Sequence, residues 1–183
     1  MRRTSRFLAT TAASLLGLGV ALAGAGAASA QATVTFTSPS SLSMSRDAAG
    51  LILLNYENRS GRDLNCAITV SNSAVVSALE RYVRAADDPV TAFTEVENWP
   101  ADLHNLANRA LTNHEFNVGL SDVDAGHSGP MYVHDGTHHP MSTTFPLHGY
   151  SMCVNGPGGY VEFERGSGAG MSGSLGDLFG SAS

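Results

Sequence analysis

The sequence predicts a mainly β domain of the α+β class: a sandwich of seven or eight short strands, interrupted by a helical insert and stapled by one disulfide. Three observations carry this expectation. Apolar and polar residues alternate with a period of two near the start of the chain and again after Asn113. Between those stretches, over about residues 72–112, apolar residues recur at helical spacing instead. Only two cysteines occur, Cys66 and Cys153, one in each strand group.

The N-terminus is read apart from the fold. Arg2, Arg3 and Arg6 make a positive start, and an Ala/Leu/Gly-rich stretch follows to about Gly26. Ala28-Ser29-Ala30 then meets the small-x-small rule for signal peptidase, so residues 1–30 read as a secretory signal peptide. A cut after Ala32 fits nearly as well. Ser5 stands where a twin-arginine signal needs an apolar residue, which favours Sec export. No cysteine lies near the cut, so the sequence predicts no lipid anchor.

Residues 31–165 make the expected single domain. Val34 and Phe36 alternate with threonines in a first strand, and Ser38–Ser45 reads as a linker. Leu51–Glu57 is a second strand, apolar enough to be buried on both faces. Asn58-Arg-Ser-Gly-Arg-Asp63 is a turn by composition. In the third strand, Leu64, Cys66, Ile68 and Val70 share one face, which aims Cys66 at the core.

Val75, Val76, Leu79, Tyr82 and Val83 then mark a helix capped by Asn72 or Ser73. Asp88-Pro89 reads as the cap and first residue of a second helix. A third runs from about Pro100 to Leu111. Strands return with Phe116, Val118 and Leu120, then Met131–His134, Ser142–Leu147, Tyr150–Val154 and Tyr160–Arg165. In the last strand Val161 and Phe163 face one way, and Glu162 and Glu164 face a solvated side. Residues 166–183 are a Gly/Ser-rich tail, with 11 of 18 positions Gly or Ser.

Composition excludes several classes of function. The chain has 183 residues and a formal charge of −6, and all ten basic residues are Arg. Without residues 1–30, seven Arg face 16 acids, a charge of −9. An acidic, Lys-free surface is a poor nucleic-acid binder. No apolar run after the signal approaches the roughly 20 residues of a membrane span.

The histidines are the one uneven chemical feature. Five of seven fall in the loop region 127–148: His127, His134, His138, His139 and His148. Neutral imidazole suits Cu and Zn, and thioether suits Cu(I). His134, His138 and His139, completed by Met131 or Asp135, are the candidate metal ligands. The alternative is a polar loop that happens to contain histidine, with no cofactor. Gly126-His-Ser-Gly-Pro130 breaks the serine-nucleophile pattern at Pro130, and no catalytic residue is assigned. Cys66 and Cys153, 87 positions apart, are expected to pair in an oxidising compartment.

Asn58-Arg-Ser-Gly-Arg-Asp-Leu-Asn-Cys66, together with the signal peptide and the Gly/Ser-rich end, resembles small exported actinobacterial proteins with an immunoglobulin-like, disulfide-bearing domain. The strand count fits such a sandwich, although Trp99 lies in the helical insert rather than on a strand between the cysteines. The resemblance implies no catalytic residues. The expected function is a secreted or cell-envelope-associated binding or structural module of unknown ligand, its partner a protein or an envelope glycan. The alternative is an extracytoplasmic Cu- or Zn-binding protein.

Overall fold

The computed structural model describes residues 32–46, 52–132, 145–156 and 159–168. The chain folds as a mainly β structure with three helices and one disulfide. Strands β1 (Thr33–Thr35), β2 (Ser41–Arg46), β3 (Ile52–Glu57) and β4 (Leu64–Ser71) come first. Helices α1 (Ser73–Ala85), α2 (Pro89–Thr94) and α3 (Ala101–Thr112) follow, with a 3₁₀ turn at Val96–Asn98. Strands β5 (Phe116–Val123), β6 (Ser128–Tyr132), β7 (His148–Asn155) and β8 (Tyr160–Gly168) complete the chain.

All eight strands belong to one sheet in the order β5-β4-β7-β8-β2-β3-β6, with β1 also on β8. The sheet curls until its two end strands, β5 and β6, lie beside each other, joined by a short loop. The result is a nearly closed barrel. An immunoglobulin-like arrangement predicts two facing sheets, and here the hydrogen-bond path does not divide. The reason lies in β8, nine residues long. It bonds β7 along one edge. Along the other it bonds β1 and then β2, both parallel. One strand therefore ties together what would otherwise be two sheets.

Close approach makes this possible at Gly166. A Cβ there would meet the Leu42 carbonyl oxygen at 2.3 Å, so only glycine lets β2 pass. Gly166–Gly168 are thus part of β8, not the start of the tail. Likewise Ser41–Arg46, which overlaps the expected Ser38–Ser45 linker, is a strand: Leu42 and Met44 are buried while Ser43 and Ser45 point out.

The curled sheet has two apolar faces. Inside the barrel, Leu42, Met44, Leu54, Tyr56, Cys66, Ile68 and Val70 pack together. Outside, α1 and its neighbours cover β7 and β8: Val76, Leu79, Val83, Phe93, Trp99 and Leu103 pack on Tyr150, Met152, Val161 and Phe163. The helices start where the sequence predicts. Asn72 Oδ1 accepts from the amides of Ala74 and Val75, and Asp88 Oδ1 from those of Val90 and Thr91. Trp99 is buried with its indole N–H on the Ala92 carbonyl. Glu80 ties the layer to the sheet, taking Arg84 at 2.9 Å and Arg165 of β8 at 2.6 Å.

Candidate functional site

Cys66 and Cys153 face each other directly across β4 and β7 and form a disulfide, fully buried inside the barrel. Period-two reading placed Cys66 on the core side, and the core is where it lies. Directly across from Cys153 on β8 is Glu162. Its side chain is buried, with none of its surface exposed. The expectation of a solvated face is therefore wrong at this position. Sequence reading assumed that only one face of β8 was covered. In fact the helices cover the Val161/Phe163 face, and the barrel interior takes the Glu162 face.

A buried carboxylate needs donors, and two tyrosines supply them. The Tyr56 hydroxyl of β3 donates to Glu162 Oε1. The Tyr160 hydroxyl donates to Oε2 at 2.8 Å. Tyr56 is itself fully buried and also has the Ser40 and Ser38 hydroxyls in hydrogen-bond contact. Burial pushes the Tyr56 phenol far above its ordinary range, and the Glu162 hydrogen bond adds to this. Burial, then the Glu162 bond, push Tyr160 up to about 12. Both phenols stay protonated donors at neutral pH. Glu164, the next residue on that side of β8, is also raised, by burial first and then by the charge of Glu162.

Tyr160 closes the cluster towards solvent, with the Arg62 guanidinium 4.8 Å from its ring centre. The turn that carries Arg62 is built around Asn58, which is fully buried. Asn58 Nδ2 donates to the carbonyls of Arg62 and Val123 at 2.7 and 2.8 Å. Its Oδ1 accepts from the Ser60 amide and hydroxyl. The Asn58–Asp63 stretch is the turn its composition predicts, and it sets Arg62 against Tyr160. Chemically, the cluster holds a carboxylate between two neutral phenols.

Of the proposed metal ligands, Met131 alone falls among the described residues. His134, Asp135, His138 and His139 lie outside the described residues. Met131 lies in β6, its backbone opposite Leu54. Among the described residues no group of three or more His, Cys, Asp or Glu side chains is placed to hold a metal ion. His127 is exposed, its Nδ1 3.1 Å from the Ala125 carbonyl. His148 opens β7, and burial, then the Arg165 charge, hold its imidazole below the usual histidine range.

Sequence reading missed Glu162, Tyr56 and Tyr160 as a group. One signal was present. Tyr150, Met152 and Cys153 leave β7 apolar on both faces, which implies a sheltered neighbour on either side. No protein-family model, no curated protein and no solved structure matches this chain.

Proposed function

We propose that this chain is an exported module, secreted or held in the cell envelope, that works by binding or by structural support. The observation that carries this reading is the buried Cys66–Cys153 disulfide, set directly between paired strands. Such bonds form and persist in oxidising compartments, and the N-terminal signal pattern of residues 1–30 points the same way. The polar groups of the barrel support the second half. Both Glu162 oxygens are committed to Tyr56 and Tyr160, which suits a fixed scaffold presenting loops and helices. Kinship with small exported actinobacterial proteins of immunoglobulin-like type belongs to the same proposal. It rests on the Asn58 turn that leads into the strand carrying Cys66.

Mass spectrometry on the protein expressed with its own N-terminus in an actinobacterial host tests this. The proposal expects recovery from medium or envelope, an N-terminus at Gln31 or Thr33, and a mass about 2 Da below that of the reduced form, as loss of two thiol hydrogens requires. Recovery from cytoplasm with residues 1–30 intact and both thiols free would refute it.

A further inference from the structure

We infer that the Cys66–Cys153 disulfide is a redox lock: thiol reagents reach its sulfurs only when the barrel as a whole opens. The redox state set during folding is then kept for as long as the chain stays folded. The inference concerns the oxidised chain wherever it resides, so it does not depend on the export reading.

Burial is the first ground. Neither cysteine exposes any of its surface. The strands that carry them are interior strands of the sheet. β4 is hydrogen-bonded to β5 and β7, and β7 to β4 and β8. The sulfurs share their core with Leu42 of β2, Leu54 and Tyr56 of β3, and Ile68 of β4. Uncovering the bond therefore means separating strands that lie far apart in the sequence, not shifting one loop.

Charge is the second ground. In thiol exchange a thiolate attacks one sulfur and expels the other as a thiolate. Inside the barrel both anions would stand in an apolar interior, which desolvation opposes. Opposite Cys153 on β8 is the buried Glu162 carboxylate, and a second negative charge beside it is opposed again. A leaving thiol whose pKa is raised leaves slowly. At the other end of this row, Cys66 is opposite Ser121 of β5, which is half-buried, and a local route would enter there. The same barriers face an oxidising disulfide, so the bond forms before the barrel closes.

The test is the rate at which dithiothreitol reduces the folded, oxidised protein at fixed pH, read by alkylating the freed thiols and weighing the product. Two electrons pass from dithiothreitol, which closes to its cyclic disulfide, and the protein gains two thiols. The reagent is kept dilute enough for the rate to be proportional to it. The expected rate is that of the urea-unfolded protein multiplied by the unfolded fraction in water, taken from a urea titration of the oxidised protein. That is a protection of about a thousandfold or more. Urea below the transition is expected to raise the rate along the slope of global unfolding. Glu162→Gln is expected to change the rate only by the factor by which it changes the unfolded fraction. A wild-type rate more than about tenfold above that product, or one flat in urea, would overturn the inference, because a local opening such as β5 leaving β4 would then reach the sulfurs. So would a Glu162→Gln variant of unchanged stability that is reduced about tenfold faster, since the reagent would then be attacking inside the closed barrel.

Discussion

The β7–β8 half of the barrel and its β5–β6 seam differ in how they are covered, and the difference explains most of what the sequence concealed. β7 and β8 are buried twice. Tyr150, Met152, Val161 and Phe163 are sealed under helices, and Cys153 and Glu162 are sealed inside the barrel. At the seam, among the described residues β5 has a ladder on one edge, to β4, and Leu120 stands 48% exposed. A strand covered on one face announces itself by alternation. A strand covered on both faces offers no polar side from which to read its orientation. There a glutamate looks like surface until the third layer is known.

Removing the disulfide gives the largest expected change. Cys66→Ala with Cys153→Ala opens an 87-residue loop in the unfolded state, worth about 4–5 kcal/mol on chain entropy alone. A urea midpoint measured for this variant should fall by that equivalent. A shift within error would mean that β4 and β7 do not depend on their clamp. Phe163→Ala comes next. Phe163 stacks on Phe36 and Tyr150 at 5.1 and 5.8 Å and meets Phe93 edge-on. Its loss is expected to cost about 3–5 kcal/mol by denaturant titration, as for other fully buried aromatics.

Inside the barrel, Glu162→Leu keeps the bulk but leaves the Tyr56 and Tyr160 hydroxyls without their acceptor. The expected cost is about 2–3 kcal/mol, against about 1 kcal/mol for Glu162→Gln, which keeps one acceptor oxygen. Equal costs would mean that packing alone, not hydrogen bonding, holds the cluster. The seam gives the smallest change. Leu120→Ser is expected to move stability by no more than about 0.5 kcal/mol. A larger loss would show that the Leu120 side chain is covered.

Local features were legible where local physics determines them. Asn72 and Asp88-Pro89 mark helix starts because a side-chain oxygen must satisfy the first amides. Cys66 reads as core because Leu64, Ile68 and Val70 share its parity. The serines of Ser41-Leu-Ser-Met-Ser45 hid β2, since their composition says linker while Leu42 and Met44 say strand. The parallel pairing of β8 with β1 and β2 could not be read, because it joins residues more than a hundred positions apart. The Tyr56–Glu162 contact spans a similar distance and stayed hidden for the same reason. The candidate metal ligands followed from histidine density alone, which gives residue types but no geometry.

The central claim is that Glu162 is held, out of water, between two neutral phenols. It also sets the response to alkali. A phenol whose folded pKa lies above its unfolded value of about 10 stabilises the fold fully below that pH, and the contribution is lost as pH rises through the folded value. For Tyr160 the loss falls between about pH 10 and the folded value of about 12. Tyr56 acts in the same direction. The direct measurement is a pH titration of the tyrosine ring-carbon NMR signals, assigned with Tyr56→Phe and Tyr160→Phe. The account predicts that Tyr160 ionises near 12 and that Tyr56 stays neutral until the protein unfolds in alkali. Ionisation of both near the ordinary tyrosine value of about 10 would contradict it, since neither ring would then be sealed against Glu162.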